Sequence, residues 1–181
     1  SLAIRSDGTL AGWGDNTYSQ INIPAGTFTA VAAGQYHSLG IRSDGTLVGW
    51  GENTWGEINV PAGTFTAVAA GSVHSLAIRD DGTLAGWGDN TYGQINVPAG
   101  TFTAVAAGVQ HSLAIRSDGT LAGWGLNDRG QISVPPGTFT AVTAGPYHSL
   151  AIRSDGTLVA TPASPVTDPS WSPALPGAWA R

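Results

Sequence analysis

One 37-residue unit is repeated along this chain of 181 residues, four times in full and a fifth time in part. Each copy opens with Ser-Leu-(Ala/Gly)-Ile-Arg-(Ser/Asp)-Asp-Gly-Thr-Leu, and the copies begin at Ser1, Ser38, Ser75, Ser112 and Ser149. A fixed period of this length indicates a supersecondary unit stacked on copies of itself. The function has to be sought where the copies differ.

Each unit begins with a β-hairpin. Two short apolar runs, Ser38–Arg42 and Thr46–Trp50, flank the sequence Ser43-Asp44-Gly45. An Asp-Gly pair between such runs is a strong hairpin signal because glycine tolerates a positive φ. The sequence therefore predicts strand B, a tight turn and strand C.

The second half of the unit is predicted to add two more strands. A polar loop over residues 52–57 leads to Ile58-Asn59-Val60, which we interpret as a short strand D. Pro61 ends it, since proline has no N–H for a ladder. The run from Thr64 to Gly71 then suits strand A of the next unit, because it starts with β-branched and aromatic residues.

Both faces of these strands are apolar, which determines the architecture. In Leu76-Ala77-Ile78 one face is large and the other small, so both faces should be covered. Small sheets covered on both sides by copies of themselves form a β-propeller. The fold is therefore predicted to be an all-β propeller. Because the sequence has five B–C hairpins but only four A strands, we expect an incomplete ring of four to five short blades. Strand A has the smallest side chains and is placed nearest the axis.

The repeats are assigned to residues 1–159 and a proline-rich tail to residues 160–181. In the fifth copy Thr161 replaces the tryptophan that ends strand C, and Pro162 replaces the following glycine. Such a segment suits a linker or a disordered tail, and a shifted reading frame is an open alternative. The chain lacks methionine, even at its first position, which predicts a fragment or a processed piece.

The repeat resembles that of the regulator of chromosome condensation family. The resemblance rests on the motif Ala-Ala-Gly-x-x-His-Ser-Leu-Ala-Ile-x-x-Asp-Gly-x-Leu-x-x-Trp-Gly-x-Asn, which occurs at residues 69–90 and 106–127. The resemblance implies a propeller, although family members have seven longer blades. The short spacing and the run at 87–98 are more similar to bacterial short-blade members, which include a secreted β-lactamase inhibitor protein that meets its partner through these loops.

Composition excludes several function classes. The chain has no cysteine and therefore no disulfide framework or thiol chemistry. It has no lysine and a net charge of −5, which gives no basic footprint for nucleic acid. No apolar run approaches the roughly 20 residues that span a bilayer, so we expect no membrane contact. The short-blade resemblance and the composition favour a secreted or cell-surface protein.

The copies differ mostly in two loops, which alternating strand directions place on one rim. These are the loop between strands A and B and the loop after strand C. Their large side chains are residue types that dominate interface hot spots. We predict that they bind a protein partner; the alternative is that these loop positions merely tolerate change. The predicted partner-binding residues are Tyr18, Tyr36, Trp55, Tyr92, Arg129 and Tyr147.

The repeated polar residues are interpreted as structural. Zinc needs nitrogens at about 2.0–2.1 Å, whereas packed sheets lie about 10 Å apart, so the repeated histidines should not share a metal. Aspartates in the Asp-Gly turns bond nearby backbone. We predict no metal, no cofactor and no catalytic residue. The histidines are His37, His74, His111 and His148, and the turn aspartates are Asp7, Asp44, Asp81, Asp118 and Asp155.

Three functions therefore stay open, and they are given in descending order of preference. The first is a protein-binding propeller that is not an enzyme, whose open end blades can also self-associate. The second is a glycan-binding or carbohydrate-active propeller, favoured by Glu52, Trp55 and Glu57. The third is nucleotide exchange on a small GTPase, which the longer-bladed relatives perform; no loop here carries an inserted wedge.

Overall fold

A computed structural model describes residues 1–161, which contain strands and connecting turns but no helix. No helix long and apolar enough to cross a membrane occurs among these residues. The strands are β1 Leu2–Ile4, β2 Leu10–Gly12, β3 Phe28–Ala33, β4 His37–Arg42, β5 Leu47–Gly51, β6 Phe65–Ala70, β7 His74–Arg79, β8 Leu84–Gly88, β9 Phe102–Ala107, β10 His111–Arg116, β11 Leu121–Gly125, β12 Phe139–Ala144, β13 Ser149–Arg153 and β14 Leu158–Thr161.

The strands form one two-stranded and four three-stranded antiparallel sheets. The first sheet is the hairpin β1–β2, and each later sheet has its strands in the order A, B, C of the predicted unit. Strands A of successive sheets contact one another, and the Gln35 N–H donates to Gly71 O of the next sheet at 3.4 Å. This arrangement confirms the all-β propeller arc and puts strand A on its inner side. We call the five sheets blades 1 to 5.

The predicted strand D is wrong. Residues 58–60 belong to no sheet because their amides are used locally. The Ile58 N–H donates to Asn53 Oδ1 at 3.0 Å, Asn59 N–H to Gly56 O at 3.1 Å and Val60 N–H to Ile58 O at 2.8 Å. Pro61 has no N–H at all. No donor of this segment is left for a ladder, so each complete blade has three strands.

The core lies between blades. Leu76, Ile78 and Leu84 of blade 3 pack against Phe102 and Trp124, which belong to blade 4. Each fully buried aliphatic side chain contributes roughly 1.5–3 kcal/mol. Equivalent positions meet at successive junctions. One blade contributes its leucines and isoleucine to the shared core, and the next blade contributes its aromatic rings. The predicted blade-packing role of the tryptophans is confirmed at Trp50, Trp87 and Trp124, which are buried.

A repeated set of hydrogen bonds fastens each blade to the next. His37 Nε2 lies 2.9 Å from Ser75 Oγ, whose hydroxyl donates to Glu57 O at 2.9 Å. The same carbonyl accepts the Trp87 indole N–H at 2.7 Å. We call this set the latch: one blade supplies the histidine and the carbonyl, and the next supplies the serine and the indole. It recurs as His74, Ser112, Gln94 and Trp124, and as His111, Ser149, Gln131 and Thr161.

The last strand continues two residues beyond the predicted end of the repeats. Residues 160 and 161, assigned above to the tail, lie in β14. Thr161 is buried and its hydroxyl donates to Gln131 O at 3.0 Å, which takes over the hydrogen bond of the missing tryptophan. The predicted disordered tail, residues 162–181, lies outside the described residues.

Both ends of the described arc expose side chains that are buried inside it. Ile152 and Leu158 on the outer face of blade 5 are 40% and 66% exposed, while the equivalent Ile115 is 2% exposed. At the other end Trp13 is 55% exposed, against 8% for Trp50. The junction residues at each end therefore have no neighbouring blade among residues 1–161.

Candidate functional site

The two variable loops of each blade lie at the same end of the sheet. The first residue after the Trp-Gly pair donates its N–H to the residue before the histidine: Glu52 to Tyr36 O at 3.0 Å and Asp89 to Val73 O at 2.9 Å. These bonds fix the loop after strand C against the turn between strands A and B. We call this end the loop rim and the end with the Asp-Gly turns the turn rim.

Five aromatic residues and one arginine lie on the loop rim, as predicted. Four of the aromatic side chains are between 44% and 56% exposed. The Tyr18 and Tyr36 rings are 4.8 Å apart and tilted by 53°. The Arg129 guanidinium lies 4.8 Å from the centre of the Tyr147 ring. We call the whole set the rim row: Tyr18, Tyr36, Trp55, Tyr92, Arg129 and Tyr147.

Each contact within the rim row joins neighbouring blades. The loop of one blade meets the A–B turn of the next, which pairs Tyr18 with Tyr36 and Arg129 with Tyr147. At the two middle junctions the facing turns have Val73 and Gln110 instead of tyrosine. Trp55 and Tyr92 consequently have no partner among the described ring stacks and cation–π pairs.

The loop that carries Trp55 is held by its own polar side chains. Asn53 Oδ1 accepts the Ile58 N–H, and Asn53 Nδ2 donates to Asn59 Oδ1 at 3.0 Å. Glu57 Oε2 accepts the Trp55 N–H at 2.9 Å. The predicted backbone bonding of the loop asparagine is confirmed. A loop fixed in this way loses little conformational freedom when it binds a partner.

Glu52 and Glu57 replace an Asp–Gln pair that blades 1 and 3 carry at these positions. In blade 1 Gln20 occupies the position of Glu57, and its amide donates to Asp15 Oδ2 at 3.1 Å. Gln94 donates to Asp89 Oδ2 in the same way, at 2.8 Å. Glu57 is 1% exposed and bonds the loop backbone. Its position argues for bracing of the loop rather than for acid–base chemistry.

The histidines occupy separate junctions. Because the Ser75 hydroxyl donates to a carbonyl, it accepts from His37, which puts the ring proton on Nε2. Burial lowers the pKa of His37 and His74 to about 4 and also lowers the pKa of His111. These rings are therefore neutral at pH 7. Within residues 1–161 no group of three or more potential ligands is placed to hold a metal ion.

The turn rim repeats the same chemistry in every blade. Asp44 Oδ1 accepts both the Thr46 N–H at 2.9 Å and the Thr46 hydroxyl at 2.7 Å. The threonine hydroxyl is the main cause that lowers the pKa of this exposed aspartate. The predicted turn role of the repeated aspartates is confirmed, and it explains why this rim varies so little between copies.

A cavity that was not predicted from the sequence lies on the inner side of the loop rim. It has a volume of about 360 Å³ and is lined by the A–B turns of four blades. One sequence signal could have indicated this cavity. Two residues precede each histidine, and the first of them is the only position of the lining that changes between copies. These residues are Gln35, Ser72, Val109 and Pro146.

The family comparison matches the repeats. The model described as "Regulator of chromosome condensation (RCC1) repeat" matches residues 28–56, 65–94 and 102–131. Each match begins at the first residue of a strand A and ends in the loop after strand C. Among curated proteins, none matches the chain.

Solved structures with the same fold include plant receptor ectodomains and a yeast protein. The ectodomain of the Physcomitrella patens receptor kinase CR4 has a TM-score of 0.78 and 24% identity, covering 92% of this chain and 51% of that one. Prp20p from Saccharomyces cerevisiae, described with its binding to Gsp1p and histones, has a TM-score of 0.75 and 20% identity over 88% of this chain and 55% of its own. The Arabidopsis thaliana receptor kinase ACR4 ectodomain has a TM-score of 0.73 and 23% identity over 88% and 64%. The chain thus spans about half the length of the first two structures.

Proposed function

Because the chain carries regulator of chromosome condensation (RCC1) repeats, we propose that it is a protein-binding propeller without catalytic activity that contacts its partner through the rim row. The observation that carries the proposal is the asymmetry between the rims. Large exposed aromatic residues gather on the loop rim, whereas the turn rim repeats one turn in every blade. Exposed aromatic clusters usually mark contact surfaces.

The residue types and their support suit a binding surface. Tyrosine, tryptophan and arginine supply much of the energy of protein interfaces, most of all where they are held rigidly. Trp55 stands on a loop whose backbone is bonded to Asn53 and Glu57. Prp20p, which shares the fold, is described with protein partners. This likeness supports the class of function and does not identify a partner.

The charge of the loop rim favours a basic partner. Each loop after strand C carries one solvent-accessible acidic residue near the rim row, since Glu57 is buried, and Arg129 is the one basic residue of these loops within the described chain. Opposite potentials across an interface speed association and disfavour wrong partners. The partner should therefore present an apolar patch with lysine or arginine around it. The acidic residues are Asp15, Glu52, Asp89 and Asp128.

The rim row can be tested by capture followed by affinity measurement. A protein captured by the immobilised chain is purified, and its dissociation constant is measured for the wild type and for a Tyr36→Ala, Trp55→Ala double variant. We expect the double variant to bind at least about tenfold more weakly, since hot-spot truncations cost on the order of 2 kcal/mol or more.

The control variant is Asp80→Ser on the turn rim, which restores the residue that the other four repeats carry. It should bind like the wild type. Equal affinity of the double variant and the control would refute the rim row as the binding surface. A glycan-array signal that disappears with Trp55→Ala, without any captured protein, would instead support the carbohydrate alternative.

Two further parts of the proposal concern self-association and location. Ile152 and Leu158 expose an apolar surface that is covered at every inner junction, so we propose weak self-association there, detectable as a concentration-dependent mass in light scattering. A secreted or cell-surface location is proposed from the short-blade resemblance, and cell fractionation tests it.

A further inference from the structure

The loop that carries Trp55 lacks a hydrogen-bond donor that the equivalent loops of the other blades have. In blade 3 Gln94 Oε1 accepts the Tyr92 N–H at 2.9 Å, and Gln94 Nε2 donates to Asp89 Oδ2 at 2.8 Å. Gln20 forms the same two bonds in blade 1. The glutamine amide therefore joins the loop backbone to an acidic side chain, and both of its ends are used.

In blade 2 a carboxylate takes the place of this amide. Glu57 Oε2 accepts the Trp55 N–H at 2.9 Å, so Glu57 Oε1 replaces the NH₂ group that donates in the other loops. Glu52 stands at the position of Asp89, and its Oε1 accepts the Thr54 hydroxyl at 2.9 Å. Two acceptors consequently occupy positions where blades 1 and 3 have a donor and an acceptor.

No cation compensates these two carboxylates within residues 1–161. The one ion pair in this range joins Arg129 to Asp128 on another blade. No hydrogen bond from the described residues reaches Glu52 Oε2 or Glu57 Oε1, although Glu57 is only 1% exposed. A buried carboxylate is costly unless a donor or an opposite charge lies beside it. The pair therefore favours a cationic ligand.

The described arginines of the chain are engaged elsewhere. Those that end strand B lie 5.1–5.4 Å from the centres of phenylalanine rings at the turn rim, and each donates to a carbonyl there. Arg5 donates to Leu10 O at 2.6 Å, and Arg129 lies against Tyr147. The chain has no lysine. A cation for the carboxylates of blade 2 is therefore sought on a second molecule.

An exposed aromatic ring in the same loop suits an arginine. Trp55 is 56% exposed, and the turn that faces it has Val73 instead of tyrosine. The junction of blades 4 and 5 shows how such groups combine. There the Arg129 guanidinium lies 4.8 Å from the centre of the Tyr147 ring, and its Nε lies 4.0 Å from Asp128 Oδ2. The Trp55 loop has the ring and the carboxylates but no arginine.

We propose that Trp55, Glu52 and Glu57 form a recognition site for an arginine side chain of the protein partner. The guanidinium lies on the indole ring and donates to Glu52, while the buried Glu57 adds negative charge. A planar guanidinium can stack on a ring and donate to a carboxylate at the same time, which a compact ammonium group does less well. This inference rests on the proposed function, because it names the chemistry that the partner presents to the rim row.

A short peptide tests the site on the full chain. The probe is acetyl-Gly-Arg-Gly-amide, titrated at constant ionic strength while NMR follows the indole N–H resonance of Trp55, assigned with Trp55→Phe. We expect a saturable shift there and a much smaller response at Tyr92, whose neighbour Asp89 is already bonded to Gln94. The peptide with citrulline, which is neutral and of similar shape, should bind about tenfold more weakly. The lysine peptide should also bind more weakly than the arginine peptide.

Two conservative variants separate this site from general attraction to an acidic surface. Glu57→Gln introduces the residue that the other three loops carry, and its amide can donate to Glu52 and occupy that acceptor. Affinity for the arginine peptide should fall about tenfold, while the Trp55 N–H keeps its acceptor and the Tm does not fall. Asp89→Asn removes the same charge from the next loop and should leave the affinity unchanged.

The proposal is overturned if the arginine peptide gives no saturable shift, if the citrulline or lysine peptide binds equally well, or if Glu57→Gln and Asp89→Asn behave alike. These measurements need no captured partner, so the arginine site can fail while the capture experiment upholds the rim row. If capture fails and the peptide still binds as expected, protein binding by the rim row is refuted and arginine recognition at Trp55 is retained.

Discussion

At the residue scale, the latch explains the invariant His-Ser pair of the repeat. The histidine forms a hydrogen bond with the serine of the next blade. That serine and the indole of its blade both donate to one loop carbonyl, which belongs to the blade of the histidine. The Nδ1 atoms of His37, His74 and His111 are buried and have no hydrogen-bond partner among the described residues. A proton added there would place a charge in an apolar junction, at a cost that burial makes large.

Stability should accordingly fall in mild acid. The pKa of His37 and His74 is about 4 in the folded chain, below the ordinary value of 6.5. Between these values the unfolded chain binds more protons, so the free energy of unfolding decreases as the pH falls from 6.5 towards 4. Each histidine contributes at most roughly 3 kcal/mol to this decrease. Thermal unfolding followed by circular dichroism at pH 7, 5.5 and 4.5 measures it.

The matched variant is His74→Gln, which keeps an amide N–H for Ser112 and cannot gain a proton in this range. Its Tm should be lower than that of the wild type at pH 7 but should depend less on pH. The exposed turn aspartates do not account for the effect, because the threonine hydroxyl of each turn lowers their pKa from the ordinary aspartate value and keeps them charged over this pH range. An unchanged pH dependence in His74→Gln would show that the latch histidine is not responsible.

At the element scale, the loop after strand C packs over a glycine in the middle of that strand. A methyl group at Gly49 would lie 2.8 Å from Ile58 Cβ and 3.0 Å from Ile58 Cα. The loop that presents Trp55 therefore rests directly on strand β5. The glycine is required by this close approach, since its contact includes backbone that cannot simply rotate away.

The substitution Gly49→Ala should push the loop away from the sheet. We expect a loss of roughly 1–3 kcal/mol, as for other overpacked sites, and faster cleavage after Trp55 by chymotrypsin. Val48→Ala, one position earlier on the opposite face, is the control for stability and should not accelerate this cleavage. Equal cleavage of both variants would contradict the packing of the loop on Gly49.

Local signals predicted the sheet well and the loop poorly. Strands A, B and C follow from alternating side-chain size and the Asp-Gly turn, which act over a few residues. Residues 58–60 carry the same β-branched signal, but their amides bond Asn53, Gly56 and Ile58. These contacts depend on the folded loop, so a reading of β propensity along the chain could not anticipate them.

At the scale of the whole molecule, the described arc has two unlike ends. One end presents leucine and isoleucine from blade 5, and the other presents Trp13 and the free edge of β1. Repeat proteins gain stability from neighbouring interfaces, and within residues 1–161 the inner junctions supply it. The number of blades in the arc was predictable from the count of hairpins, whereas the pairing of rim aromatics across blades required the position of one blade against the next.

Blade 5 should become more stable when the tryptophan of the repeat is restored in its last strand. In Thr161→Trp, the indole N–H can reach Gln131 O, and the ring can pack on Leu113 and Leu121, which line a small void beside Thr161. We expect stabilisation of about 1–2 kcal/mol and a Tm increase of roughly 2–6 °C. Ala160→Trp, one residue earlier and exposed, is the control. A Tm for Thr161→Trp that does not exceed the control would contradict the proposed equivalence of these positions.

The latch also has a consequence for the history of the gene. At all four junctions within residues 1–161 the serine hydroxyl of one blade donates to a loop carbonyl of the preceding blade, so a recombination event that inserts or deletes one whole 37-residue unit keeps this contact at the remaining junctions. Lineages can therefore change the size of the ring without inventing a new contact, provided that the crossover falls in phase.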